Sequence, residues 1–291
     1  VPAQINDFAY VKTKIPIIYL NDANTAQLFN YYPYYSGLGL LSKIETKFIE
    51  KKALNKFKQI IYSSKWAADY AINSYKINRN KVNVIKLGAN IEVPSKSEFV
   101  IKNLESNIQF LFFAVDWNRK GGQIALQTIE KLAYMGYDVK LKVVGCAPPR
   151  DSEVLEVIPF LNKNIKHEYN QLKEILYDSS FLFVPTRAEC YGIVFCEASA
   201  YGLPSITTDT GGVTSVVKDG INGYALPIDA SVEDYIKVIE PLINNKEKLK
   251  NIDHNLLYKN YVLFIKYYLR SPFFNNNEKF CHDISIFNEF E

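Results

Sequence analysis

Paired cysteines, clustered histidines and long apolar runs are all missing from this 291-residue sequence, and each absence removes a class of protein. The four cysteines, Cys146, Cys190, Cys196 and Cys281, form no C-x-x-C and fit no zinc-ligand spacing. They read as reduced thiols of a cytoplasmic protein. His167, His254 and His282 are scattered and suit no metal. No apolar run approaches the ~18 residues of a membrane span, and the N-terminus has no signal-peptide shape. A formal charge of +3 is too small to argue for nucleic acid. No G-x-G-x-x-G follows any strand-like run, which disfavours a nicotinamide dehydrogenase.

What is present suits a globular α/β protein. Hydrophobic residues at 48% and charged residues at 22% give ample material for a core. The length suggests two domains, at roughly 150 residues each. Short apolar runs alternate with amphipathic stretches, the βαβ pattern of parallel sheets. In the first part, 16–20, 59–63 and 82–87 read as strands, and 40–57 and 65–75 as helices. A polar stretch over 92–107 reads as a linker. The second series runs strand 108–114, helix 122–134, strand 140–144, helix near 170–178 and strand 180–185. Helix 192–201, strand 204–208, helix 212–218 and a helix around 231–243 follow. The economical division is 1–95, 96–260 and a tail over 261–291. Only about three strands fall in the first domain, and no glycine-rich turn precedes Pro16. The expectation is that this domain lacks its opening part.

The stretch "RAECYGIVFCEASAYGLP" (187–204) holds two carboxylates, Glu189 and Glu197, at the start of a buried helix. The preceding strand ends where open α/β sheets bind ligands. Gly192, Ile193 and Val194 would turn their amides into that crevice, a setting for an anion such as a diphosphate. Helical side chains lean toward the N-terminus, so Glu197 reaches back to the same place. An ionised Glu only accepts hydrogen bonds, and sugar hydroxyls are natural partners. By themselves, the two acids read more simply as a dipole-complementing Glu189 and a solvated Glu197.

Their surroundings decide between these readings. Residues 185–226 resemble the hallmark block of glycosyltransferase family 4, through Pro185, Glu189, Gly192, Glu197, Ala198, Gly202, Pro204, Gly211, Gly212, Gly220 and Gly223. The likeness runs through roughly residues 1–245. It implies the GT-B architecture, two Rossmann-like domains with parallel sheets, and a retaining transferase of hexosyltransferase type using a nucleotide-diphosphate sugar. It also implies that Glu189 binds donor-sugar hydroxyls and Glu197 the nucleotide ribose, with Tyr191, Gly192, Ile193 and Val194 beside them. In "VDWNRKGG" (115–122) it assigns Lys120 and Gly121 to the donor phosphates. Arg119 stands near the position of a family arginine, where the sequence departs from the pattern. Many relatives carry a histidine where this chain has Asp22. That residue is a candidate for a sugar hydroxyl or for positive charge at the anomeric carbon, or else a turn or capping residue. The catalytic set is thus Glu189, Asp22 and Lys120. No Asp-x-Asp occurs, so neither a metal nor a separate cofactor is expected.

Partners implied are a nucleotide sugar and a glycan or lipid-linked acceptor. The lysine-rich helix 43–58 reads as a solvated face or, more sharply, as a contact with the inner face of a membrane. The rival readings are a donor-binding but inactive fragment, and a sugar-nucleotide epimerase or phosphorylase on the same fold.

Overall fold

The computed structural model describes residues 5–94 and 107–245. The polar linker is therefore mostly, and the 261–291 tail wholly, outside the described residues. The first unit opens with a short helix α1 (Ile5–Phe8), then β1 (Ile18–Asn21), α2 (Leu40–Lys56), β2 (Gln59–Tyr62), α3 (Lys65–Asn73) and β3 (Val82–Val84). Its three strands are parallel in the order β1-β2-β3. Phe57, Ile60, Tyr62, Ala67, Ala71 and Tyr75 fill the core between sheet and helices.

The second unit runs β4 (Ile108–Phe113), α4 (Gly122–Tyr134), β5 (Val139–Val144), β6 (Leu155–Ile158), α5 (Lys166–Asp178) and β7 (Phe181–Val184). It continues with α6 (Ile193–Ala200), β8 (Ser205–Thr208), β9 (Gly223–Leu226) and α7 (Val232–Asn244). All six strands are parallel, in the order β6-β5-β4-β7-β8-β9. Chain direction along the sheet therefore reverses between β4 and β7. Strand β7, Phe-Leu-Phe-Val, is buried throughout, as expected of a parallel strand covered on both faces. Phe110 stacks on Phe181 at 5.1 Å, which ties the two strands at the reversal together.

Three expectations need correction. Residues 155–158 and 223–226 form strands that the sequence pattern did not reveal. The first is a wet edge strand carrying Glu156, and the second is four residues opened by a glycine. The helix expected at 212–218 is a single 3-10 turn, Val213–Ser215. Val213, Thr214, Val216 and Val217 are β-branched, which explains why a longer helix does not form.

Helix α2 differs from the solvated helix the sequence suggested. Glu50, Ala53 and Leu54 face inward, while Leu40, Leu41, Ile44 and Phe48 stand exposed on the opposite side. Apolar residues on both faces mark a helix with a second surface to cover.

Candidate active site

The reversal between β4 and β7 is a topological switch point, the place beyond the strands' carboxyl ends where open α/β sheets bind ligands. Two loops line it, 114–121 after β4 and 185–192 after β7. The Arg187 amide donates to the Arg119 carbonyl at 2.7 Å, and the Arg119 guanidinium donates to the Ala188 carbonyl at 3.1 Å. Gly121, at φ 77°, caps α4 with no room for a Cβ, which would strike the Pro185 carbonyl. The loops are thereby held in direct contact, and Lys120 of one forms an ion pair with Glu189 of the other. Both side chains are nearly dry, at 11% exposure each. A pair of this kind is held by mutual compensation, because either charge alone would be costly to bury.

Helix α6 begins beside the pair. From Phe195 to Ala200 every residue is buried, whereas Ile193 is exposed. The part of α6 that meets solvent is thus its amino end, where the first amides lack partners within the helix. Gly192 turns the chain into the helix at φ 88°, a conformation that L side chains rarely adopt. One turn on, Glu197 is buried and ion-paired with Lys163, which also donates to the Asn90 carbonyl at 3.1 Å. Burial pushes the Glu197 carboxyl above its ordinary range, and Lys163 opposes that shift.

Asp22 follows β1 and takes part in this electrostatic neighbourhood. Burial raises its carboxyl above the ordinary range, and the negative charge of Glu189 adds to the rise. Nearby turn positions are held by other side chains. The Gln27 carboxamide oxygen accepts from the Asn24 amide at 3.0 Å, and the buried Glu50 carboxylate accepts from the Thr25 amide at 2.7 Å. The structure therefore brings Asp22, Lys120 and Glu189 together, next to Gly192 and the helix that carries Ile193, Val194 and Glu197. Arg119 is committed elsewhere: to Ala188, to Asp116 at 3.4 Å and to the Tyr32 ring at 5.1 Å. The Tyr191 hydroxyl is also taken, donating to the Leu87 carbonyl at 2.9 Å. Among the described residues no cluster of His, Cys, Asp and Glu is arranged to hold a metal. Cys146 and Cys190 are free thiols.

Residues 95–256, more than half of the chain, match the family model for glycosyl transferases group 1. The chain belongs to that family. It is 27% identical over 226 residues to an uncharacterized glycosyltransferase of Methanocaldococcus jannaschii, covering 74% of this chain and 58% of that one. It is 31% identical over 142 residues to the capsular polysaccharide biosynthesis glycosyltransferase CapM of Staphylococcus aureus, covering 47% and 37% respectively. The chain thus spans less than two thirds of the length of either relative. The structure of Anabaena HepE, solved with UDP and glucose, aligns at a TM-score of 0.58 and 16% identity, over 86% of this chain and 71% of that one. The fold is accordingly GT-B, in agreement with the resemblance carried by residues 185–226.

In this family member, three residues near the site escaped the sequence reading. Lys163 lies in the loop after β6, an unanticipated strand. Glu50 looked like one more charge on a solvated helix. Tyr31 sits in "NYYPYYSG", and only its contacts distinguish it from its neighbours. No sequence signal marked any of the three.

Proposed function

We propose that this glycosyltransferase moves a hexosyl group from a nucleotide-diphosphate sugar to a glycan or lipid-linked acceptor, with retention of configuration. The observation that carries the reading is the Lys120–Glu189 pair beside the open amino end of α6. The donor diphosphate would take the first amides of α6 and the Lys120 ammonium. As the glycosidic bond breaks, negative charge grows on the leaving phosphate oxygen. A cation already fixed in a dry crevice stabilises that charge without reorganising. Glu189, released from Lys120, would accept from hydroxyls of the transferred sugar, and Glu197 from the ribose. Asp22 would hold a sugar hydroxyl or face positive charge at the anomeric carbon. This scheme requires neither a metal nor a separate cofactor.

A lipid-linked acceptor is supported by the outer face of α2. Leu40, Leu41, Ile44 and Phe48 are exposed there, with Lys47, Lys51 and Lys52 around them. That arrangement complements an anionic bilayer surface, apolar groups entering the interface and lysines meeting headgroups. No described helix is long and apolar enough to cross a membrane.

The deciding experiment is calorimetry with UDP, GDP and ADP, followed by product analysis with the matching nucleotide sugars. Binding of one nucleoside diphosphate and transfer with the α-configured donor giving an α-linked product is the expected result. Absence of binding to all three, or an inverted product, overturns the reading.

A further inference from the structure

The tyrosine-rich loop between β1 and α2 meets the loop that carries Glu189. The Tyr31 hydroxyl accepts from the Glu189 amide at 2.8 Å and donates to the Glu189 carbonyl at 3.1 Å. It also lies 2.8 Å from the Thr210 hydroxyl. A phenol has one donor and two acceptor sites, so these three contacts fill it when Thr210 donates. Tyr32, next in sequence, meets Cys190 and lies under the Arg119 guanidinium at 5.1 Å.

The opposite wall of the seam leaves no slack. A Cβ on Gly211 would overlap the Glu189 carbonyl and lie 2.6 Å from the Tyr31 hydroxyl. One on Gly212 would come within 2.8 Å of the Ser64 Cβ, on the residue that caps α3. The Tyr31 ring is in turn packed on Trp66, with centroids 5.6 Å apart. Tyr31 is therefore a fixed part of the first unit reaching into the second.

We propose that Tyr31 is a positioning residue that couples closure of the two units to the aim of the Glu189 carboxylate. It grips the Glu189 backbone on both sides of the side chain, at the N–H and at the C=O. The carboxylate then has its own contacts: Oε2 with Lys120 and Oε1 with the Cys190 amide at 3.2 Å. Withdrawal of the first unit removes the phenol and leaves both backbone groups without this partner. Asp22 belongs to the same β1–α2 segment, so one movement delivers Asp22 and sets Glu189. The proposal deepens the glycosyltransferase reading and rests on Glu189 acting on the donor sugar.

The test is Tyr31→Phe, with Tyr34→Phe as control because Tyr34 is 87% exposed in the same motif. Two readouts are taken on the full-length protein. Amide hydrogen exchange at Glu189 should quicken at least tenfold in Tyr31→Phe and stay unchanged in the control. Turnover should fall tenfold or more, while the affinity for whichever of UDP, GDP and ADP the wild type binds changes less than twofold. Unchanged exchange at Glu189 overturns the coupling. Equal losses of affinity and turnover also overturn it, since Tyr31 would then be shaping the nucleotide pocket. A wild type that binds no nucleoside diphosphate defeats the glycosyltransferase reading, whereas the exchange result still decides whether the contact to Glu189 operates.

Discussion

The two units of this chain use charge in opposite ways. In the second unit the two acids near the site are buried and matched, Glu189 with Lys120 and Glu197 with the partly exposed Lys163. In the first, the lysines of α2 ring an exposed apolar face, and the buried Glu50 is held by backbone amides and Tyr75. The second unit has thus fixed its electrostatics within itself, ready for a ligand with charges of its own. The first unit leaves apolar surface and positive charge exposed on α2. In the proposed reading the second unit holds the donor and the outer face of α2 meets a bilayer, two tasks that call for different chemistry.

Breaking the Lys120–Glu189 pair is the harshest way to test that contrast. Glu189→Ala leaves a nearly dry ammonium without its partner, and removing one member of a buried pair costs about 3–5 kcal/mol. Chemical denaturation should show the loss, and the double change Lys120→Met with Glu189→Met should recover most of it. Stability unaltered by Glu189→Ala would mean that the pair is solvated and the unit is not internally balanced.

Next in size is the ligand itself. Lys120→Ala should weaken nucleoside diphosphate binding by roughly 1.5–3 kcal/mol, the range for a hydrogen bond to a charged group. Calorimetry reads this directly. Full affinity in the variant would place the diphosphate somewhere other than between Lys120 and α6.

A smaller and pH-dependent effect should follow from Lys163→Met. The Glu197 carboxyl is already raised by burial, with Lys163 opposing the rise. A carboxyl raised in the folded state favours folding at low pH and loses that contribution as pH climbs through the folded value. Without Lys163 the rise is larger. The stability deficit against wild type should therefore be least at acid pH and grow from the ordinary glutamate range toward neutrality. It should reach about 1 kcal/mol, since the lysine is partly wetted. Paired melts at several pH values check the sign. A deficit that shrinks as pH rises would contradict the assignment of Lys163 to an ionised Glu197.

The same contrast explains what could be read from the sequence. Gly121 and the Gly211–Gly212 pair mark places where backbone must come close to backbone, and Gly192 marks a left-handed turn packed against the Phe195 ring; such places tolerate little substitution in residue type. Glu189, Glu197 and Lys120 sit at fixed offsets from those glycines, so the neighbourhood that pairs Lys120 with Glu189 beside α6 was legible. Strands β6 and β9 were not, because four-residue strands with mixed exposure leave hardly any periodic signal. Lys163 was hidden with β6. Tyr31 and Glu50 matter through partners distant in sequence, Glu189 and Thr25, and nothing local announces such contacts.

The smallest expected change in the folded molecule concerns the outer face of α2. Leu41 is 82% exposed and Phe48 64% exposed, so replacing both with Gln removes little buried area. Surface substitutions away from packed features usually stay within about 0.5 kcal/mol. Had these residues belonged to the core, truncating even one would cost about 2–5 kcal/mol. Melting should therefore be nearly unchanged in the double variant, while co-sedimentation with vesicles containing anionic lipid should fall sharply. Replacing Lys47 and Lys51 with Gln should weaken the same binding and reduce its salt sensitivity, because lysines near an anionic surface act over about a Debye length. The two variants separate insertion from attraction: the first should lower binding at every salt concentration, the second chiefly at low salt. Wild-type protein that ignores anionic vesicles would remove the bilayer as the occupant of this face.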